Sequence, residues 1–136
     1  MHGALTYPEF LATYLDPFEA VHHRYDRERG FIAWRLGTGS NVELLHIRTF
    51  APGKGYGREL LYRMLDAIQV DPPYHSIFGF TRVGNAEARA FYGALGFELQ
   101  AVRGLYRDGE AVLFWQSYAK LLRAREAYAD HLRCET

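Results

Sequence analysis

Residues 47–60 read IRTFAPGKGYGREL, which is the end of an apolar strand, a glycine-rich loop and the start of a helix. Glycine occupies positions 53, 55 and 57. Glycines at alternate positions let the backbone turn so that successive N–H groups point into one concavity, with no Cβ to obstruct an oxyanion. The helix that follows adds its own unpaired N–H groups and the positive end of its dipole. The pattern therefore predicts a cradle for a phosphate or pyrophosphate.

Two common phosphate-binding motifs do not fit this loop. A Walker loop requires Lys-Ser or Lys-Thr at its end, whereas Gly57 is followed by Arg58 and Glu59. A dinucleotide-binding fold requires a βαβ unit with an acidic residue about 20 positions after the glycines. Here antiparallel strands are predicted before the loop, and Asp71-Pro72-Pro73 ends the helix after it. Taken alone, the pattern also fits a tight glycine turn that binds nothing.

Hydropathy periodicity on both sides of the loop predicts a mixed α/β chain. An amphipathic segment at 8–15 comes first. Period-two runs at about 19–25, 31–36 and 42–50, joined by turn residues at 26–30 and 37–41, then indicate an antiparallel meander. The later predicted elements are a helix over 58–69, a strand over 75–83, a helix opened by Asn85 and closed by Gly96, a hairpin turning at 107–110 and a tail helix over 117–133. Residues at helical spacing predict the buried faces of the two central helices: Leu60, Leu61, Met64, Leu65 and Ile68 in the first, and Ala88, Phe91, Tyr92 and Leu95 in the second.

Composition and charge limit the class of protein. The 136 residues are 49% hydrophobic and 24% charged, which predicts one globular domain over 1–136. Sixteen Lys+Arg balance sixteen Asp+Glu, which argues against a general nucleic-acid binder. No apolar run approaches the roughly 20 residues of a membrane span, and the start MHGALTYPEF lacks signal-peptide features, so we expect no membrane partner and a cytoplasmic location. The single cysteine, Cys134, excludes an intrachain disulfide, and no ligand-pair spacing predicts a metal.

A second motif, NAEARAFYGALGF at 85–97, changes the interpretation of the loop. Together the two stretches resemble the GCN5-related N-acetyltransferase (GNAT) superfamily over about residues 19–116. The family's motif A ends its strand in Arg/Gln-x-x-Gly-x-Gly/Ala, which Gly55 and Gly57 match and Pro52 does not. Because proline has neither an N–H nor a side-chain donor, one potential phosphate contact is missing. The family's motif B, Asn-x-x-Ala-x-x-x-Tyr-x-x-x-Gly-Phe, is matched in full by Asn85, Ala88, Tyr92, Gly96 and Phe97.

The resemblance implies a GNAT-like acyl-CoA N-acyltransferase fold, in which a central, mostly antiparallel, splayed sheet is flanked by helices. It also implies acetyl-CoA as the acyl donor and CoA as a product. Backbone groups of strand 42–50 would bind the pantetheine arm, and the thioester would point between that strand and strand 75–83. The cofactor-binding residues carried over are Leu45, His46, Ile47, Gly53, Lys54, Gly55, Tyr56, Gly57, Arg58, Asn85 and Tyr92.

The implied reaction is the attack of an amine on a thioester carbonyl. Tyr92 occupies the family's position for the general acid that protonates the leaving thiolate, and its alternative role is that of a buried helix residue. A backbone N–H near Ile47 would stabilise the oxyanion. The resemblance makes Glu43 the first candidate for the general base, because many family members place a catalytic Glu on this strand, and strict strand alternation would put it on the face of Leu45 and Ile47. Other candidates are His46, expected on the opposite face, the hairpin residues His22 and His23, and a chain of water molecules.

The acceptor is expected to be a primary amine, either on a small molecule or on a peptide. Two alternatives stay open: a non-catalytic acyl-CoA-binding or assembly module on the same fold, and a donor with a longer acyl chain. The chain is expected to act as a monomer or a homodimer. Candidate residues for the acceptor pocket, drawn from the early segments and the last hairpin, are Tyr14, Tyr25, Trp34, Tyr106 and Arg107.

Overall fold

The computed structural model describes residues 5–15, 21–37, 40–68, 76–106 and 109–135. Strands and helices follow one another as the periodicity predicts, with shifted ends. The predicted segment at 8–15 is a short α-helix that continues as a π-helical turn. The elements are α1 (Tyr7–Phe10), the π turn (Leu11–Leu15), β1 (His22–Asp26), β2 (Gly30–Leu36), β3 (Asn41–Thr49), α2 (Tyr56–Ala67), β4 (Ser76–Arg82), α3 (Ala86–Ala94), β5 (Glu98–Tyr106), β6 (Gly109–Ser117) and α4 (Tyr118–Glu135).

The chain divides into two compact units. The first combines Met1–Thr38 with Val42–Pro73, and the second combines Gly39–Asn41 with Tyr74–Thr136. In the first unit, β2 pairs antiparallel with both β1 and β3, which confirms the predicted meander. In the second, β6 pairs antiparallel with both β4 and β5, which confirms the predicted last hairpin. The single-domain assignment over 1–136 stays a prediction.

The core of the first unit lies between the meander and its helices. The predicted apolar stripe of α2 is buried throughout, and α2 contacts β1 and β2. From α1, the ring of Phe10 packs 4.4 Å from that of Phe31 between centroids, and both side chains are fully buried. Burying side chains of this size contributes about 1.5–3 kcal/mol each. The stripe is Leu60, Leu61, Met64, Leu65 and Ile68.

The core of the second unit centres on aromatic rings. The prediction that four α3 residues are buried is wrong: Tyr92 is buried, whereas Ala88, Phe91 and Leu95 are partly exposed. The helix therefore contributes one large anchor to this core instead of a continuous apolar stripe. None of the described helices is both long enough and apolar enough to cross a membrane.

Candidate functional site

The glycine loop (residues 51–55) joins β3 to α2 and takes the backbone conformation that its glycines predict. Gly53 has φ +70° and Gly55 has φ +75°, both in the left-handed region. A Cβ built on either residue would meet nothing within 4 Å, so the backbone angle alone accounts for the glycines. The side from which a Cβ would project is open space. Residues 52–55 are all exposed to solvent.

Helix α2 begins directly after this loop without a side-chain cap. Its N-cap is Gly55, which has no side chain to accept a bond from the first-turn N–H groups. Helix α3, in contrast, is capped by Asn85, whose Oδ1 accepts the N–H of Ala88 at 3.1 Å. A helix start that lacks its own side-chain acceptor, preceded by an open glycine turn, suits an anionic oxygen. The predicted cofactor residues of this stretch occupy the end of the loop and the first turn of α2. They are Gly53, Lys54 and Gly55 in the loop, and Tyr56, Gly57 and Arg58 in the helix.

A charged network adjoins the glycine loop. The Nε of Arg29, in the turn between β1 and β2, donates to Oε2 of Glu59 on α2 at 2.7 Å. One Asp26 oxygen accepts the backbone N–H of Arg29 at 2.9 Å, and the other lies 3.3 Å from Nη1 of Arg63. No functional motif in the sequence includes these residues. Asp26 at the head of DRERG is a turn signal, but no sequence pattern predicts a contact between residues 30 apart in the chain.

A β-bulge in β3 changes which candidate residues share a face. Ala33 pairs with His46 and Trp34 pairs with Leu44, so Leu45 is an extra residue opposite β2. Cross-strand partners lie on the same face of a sheet, and side chains alternate along β2. Glu43 pairs with Arg35, which is two positions after Ala33 and so lies on the same face of β2. Glu43 and His46 therefore share a face. The expectations that strict alternation places Glu43 with Ile47, and His46 on the opposite face, are wrong.

Both candidate bases in β3 have defined surroundings. Oε1 of Glu43 accepts a hydrogen bond from Nε of Arg35 at 2.9 Å, and the Glu43 side chain is 18% exposed. Burial lowers the pKa of His46 below 6.5, because desolvation penalises the imidazolium. At pH 7 the His46 ring is therefore neutral and able to accept a proton.

The residues of the second motif build and terminate α3. Asn85 caps its start, as predicted. At the other end Gly96 takes φ +89°, and the N–H of Phe97 bonds to the carbonyl of Tyr92 at 3.0 Å, which closes the helix. Nε2 of Gln116 on β6 donates to the carbonyl oxygen of Gly96. Asn85, Gly96 and Phe97 thus have structural reasons to occupy their positions.

Tyr92 is buried in an aromatic cluster. Its ring stacks on Phe114 with 3.7 Å between centroids and 10° between planes, and it contacts Phe97 edge-on. The side chain is 6% exposed. Burial raises the pKa of the Tyr92 hydroxyl above 10, since desolvation penalises the phenolate. The hydroxyl therefore stays protonated over the whole physiological range and can act as a donor.

The proposed acceptor residues do not converge in the described part of the chain. Tyr25 pairs with Phe31, three positions before Trp34, so Tyr25 and Trp34 lie on opposite faces of the meander. They cannot line one pocket together, which corrects that part of the sequence prediction. Trp34 is 2% exposed, with His22 stacked on it, and the Tyr25 hydroxyl donates to the carbonyl of Leu5. Arg107 and the side chains of Tyr14 and Tyr106 lie outside the described residues.

The two hairpin histidines also lie on opposite faces. His22 pairs with Trp34, and His23 pairs with Ala33. Nε2 of His23 lies 3.2 Å from the hydroxyl of Tyr7. Burial, followed by the neighbouring charge of Arg24, lowers the pKa of His23. Of the two, His23 shares the face of Glu43 and His46.

No protein-family model and no curated protein sequence matches the chain. Solved structures do match, among them proteins described as GNAT-family acetyltransferases. The ribosomal-protein-S18-alanine N-acetyltransferase of Escherichia coli is 19% identical with a TM-score of 0.59, over 85% of this chain and 92% of that one. This chain has the GNAT fold. The match to Ard1 of Thermoplasma volcanium has 22% identity and a TM-score of 0.55, and it covers 65% of this chain but only 62% of that one.

One GNAT-fold match was solved with a ligand of the implied kind. The PaiA N-acetyltransferase of Thermoplasma acidophilum, in complex with coenzyme A, is 18% identical with a TM-score of 0.55. The match covers 66% of this chain and 54% of that one. In the present chain the GNAT fold has its glycine loop between β3 and α2.

Proposed function

We propose that this chain is an acetyl-CoA-dependent N-acetyltransferase that acts on a primary amine. The observation that carries the proposal is the glycine loop, where left-handed Gly53 and Gly55 lead into a helix start without a side-chain cap. Successive N–H groups in this arrangement bind the oxygens of a pyrophosphate without requiring a basic surface. That agrees with the zero formal net charge of the chain. Coenzyme A bound to a protein of the same fold supports the choice of ligand.

The proposed cofactor contacts follow the family resemblance. Gly53, Gly55, Tyr56, Gly57 and Arg58 would hold the pyrophosphate through backbone N–H groups, with Lys54 adding a cation. Backbone groups of Leu45, His46 and Ile47 would bind the pantetheine arm as an added strand would. Leu45 has no partner opposite it on β2, which leaves the ladder locally interrupted at this point. Asn85 and Tyr92 complete the proposed set.

The proposed chemistry is a direct acyl transfer. The amine nitrogen attacks the thioester carbonyl, a C–N bond forms and the C–S bond breaks, and the amine loses one proton while the thiolate gains one. Glu43 is proposed as the base and Tyr92 as the acid. The raised pKa of Tyr92 opposes complete proton transfer to a thiolate of pKa about 8.5, so Tyr92 donates a hydrogen bond to the leaving sulfur, and the thiolate then takes its proton from solvent water. The acceptor is proposed to be a small molecule or a peptide, encountered in the cytoplasm.

A binding experiment followed by a transfer experiment tests this function. Isothermal titration calorimetry with acetyl-CoA is expected to give a micromolar Kd, and free thiol is expected to appear when an acceptor amine is added. The acceptor panel should contain polyamines, amino acids and peptides with different N-terminal residues. Butyryl-CoA, compared with acetyl-CoA, tests the acyl-chain length.

Absence of binding at millimolar acetyl-CoA overturns the proposal. Binding without thiol release across the panel replaces it with a non-catalytic acyl-CoA-binding module. The exposed Pro52, at the position where the family has Arg or Gln, gives that second outcome a specific structural motive.

A further inference from the structure

Arg29 contacts both ends of the glycine loop. Its backbone carbonyl accepts the N–H of Phe50, the residue immediately before the loop, at 2.9 Å. Its Nε donates to Oε2 of Glu59, in the first turn of α2 after the loop, at 2.7 Å. Its guanidinium carbon lies 5.6 Å from the ring centroid of Tyr56, the first residue of α2. One residue of the β1–β2 turn therefore connects the entry of the loop to its exit.

Arg29 is itself held in place by Asp26. The Oδ1 atom of Asp26 accepts the backbone N–H groups of Glu28 and Arg29, each at 2.9 Å. The other carboxylate oxygen lies 3.2 Å from Nη1 of Arg29. The hydrogen bond from the Arg29 N–H is the largest cause that lowers the pKa of Asp26 to about 2, so Asp26 is ionised at neutral pH. Asp26 thus fixes Arg29 through both its backbone N–H and its guanidinium.

The glycine loop is ordered only in part by its own residues. Residues 52 and 53 form a turn in which the Pro52 ring fixes one φ angle, but residues 52–55 are exposed and Gly55 offers no cap. Ordering each residue of a flexible loop costs about 1–2 kcal/mol of backbone entropy. If that cost arises only when an anion binds, it reduces the affinity, whereas a loop that is already ordered binds more tightly.

We propose that Arg29 is a positioning residue that preorganises the glycine loop for the pyrophosphate of the acyl donor. This inference rests on the proposed function. Arg29 acts through Phe50, Tyr56 and Glu59, and it need not touch the ligand. Its loss should therefore weaken ligands that carry a pyrophosphate and spare those that end at the pantetheine arm.

The test compares Arg29→Gln with the matched variant Arg63→Gln. Arg63 also bonds to Asp26 and lies on α2, one turn beyond Glu59, and this contact does not involve the glycine loop. Binding of acetyl-CoA is measured by calorimetry, and binding of acetyl-pantetheine by NMR titration, which detects millimolar affinities. Arg29→Gln is expected to raise the Kd of acetyl-CoA about tenfold and to leave that of acetyl-pantetheine within twofold. Arg63→Gln should leave both within twofold.

Amide hydrogen exchange in the ligand-free protein gives a second readout that does not depend on the proposed function. Arg29→Gln should accelerate exchange at Gly53, Lys54 and Gly55, whereas Arg63→Gln should not. Either of two results overturns the positioning role. One is an equal loss of affinity for acetyl-CoA and for acetyl-pantetheine in both variants, and the other is an unchanged exchange rate in Arg29→Gln. If the wild-type protein does not bind acetyl-CoA at all, the proposed function fails, and the exchange data still decide whether Arg29 orders the loop.

Discussion

Glu43 and His46 lie on one face of β3, three positions apart, because Leu45 forms a bulge between them. In a regular strand an odd separation places two side chains on opposite faces. The extra residue shifts the alternation of β3 by one. Glu43, which pairs with Arg35 of β2, and His46, which pairs with Ala33 of β2, therefore share a face. The two strongest candidates for the general base are therefore neighbours on one surface, and only substitution of each can separate their roles.

Glu43→Gln is expected to lower kcat about 100-fold or more, which is the range for removal of a general base. The Kd of acetyl-CoA should stay within twofold, because the proposed donor contacts of β3 are made by backbone groups. His46→Gln should lower kcat less than tenfold. Steady-state kinetics and calorimetry on both variants make the comparison.

The reverse ranking would transfer the role of base to His46. In that case kcat/KM of the wild-type protein should fall in the acid range with a midpoint on the acid side of the usual imidazole value, because burial lowers the pKa of His46. His46→Gln would then abolish this acid limb, and Glu43→Gln would retain it.

The sequence predicted those elements whose signal is local. The helical stripe from Leu60 to Ile68, the cap at Asn85 and the left-handed Gly96 all depend on residues within a few positions of one another, and all are found in the structure. The bulge at Leu45 depends on register with β2, and the Arg29–Glu59 pair joins residues far apart in the chain. Neither relationship leaves a periodic signal, which is why the face of His46 and the role of Arg29 could not be read from the sequence.

Tyr92→Phe tests the proposed general acid without disturbing the fold. The phenylalanine ring keeps the stack on Phe114, so the free energy of unfolding should change by less than about 1 kcal/mol. We expect kcat to fall tenfold or more while the Kd of acetyl-CoA is unchanged. Turnover equal to that of the wild type would leave Tyr92 with a purely structural role in the aromatic cluster.

Gly55→Ala tests the conformation of the glycine loop. Alanine at φ +75° costs about 1–2 kcal/mol, and the Kd of acetyl-CoA should rise about tenfold as the loop shifts to avoid that strain. Gly93→Ala is the matched control. Gly93 lies inside α3 with no atom within 4 Å of a built Cβ, so this change should stabilise the protein by up to about 1 kcal/mol and leave binding unaltered. Equal affinities in the two variants would remove the loop from the binding site.

Gly30→Ala tests the close approach of β2 to β3. Gly30 has φ +139°, and a Cβ there would lie 2.0 Å from the carbonyl oxygen of Arg48. The backbone must move to admit it, so we expect a loss of about 2 kcal/mol or more in the free energy of unfolding, measured with urea. Gly84→Ala, at an exposed turn with open space around the built Cβ, should change it by less than about 0.5 kcal/mol. A Gly30→Ala protein as stable as Gly84→Ala would contradict this close contact.

The ionisation of Asp26 should make the stability of the fold depend on pH in the acid range. Its pKa is lowered from 3.8 to about 2, chiefly by the hydrogen bond from the backbone N–H of Arg29. A carboxyl group whose pKa is lower in the folded state stabilises that state at pH values above its unfolded pKa, and this contribution is lost as the pH falls through the folded pKa. The contribution is thus complete above about pH 5 and disappears between about pH 4 and pH 2. Asp26→Asn keeps an oxygen that can accept the turn N–H groups but removes the charge. We therefore expect it to be about 1–2 kcal/mol less stable than wild type at pH 7.

Urea denaturation at pH 7, 5, 4, 3 and 2 measures how the difference in stability between wild type and Asp26→Asn changes. It should be constant from pH 7 to pH 5 and approach zero near pH 2, because protonation then removes the same charge from the wild-type protein. Glu28→Gln is the matched control in the same turn. The Glu28 side chain is 76% exposed and lies 3.9 Å from Arg29, so its removal should change stability by less than about 0.5 kcal/mol at every pH. A difference between wild type and Asp26→Asn that persists unchanged at pH 2 would mean that the charge of Asp26 does not stabilise the turn that holds Arg29.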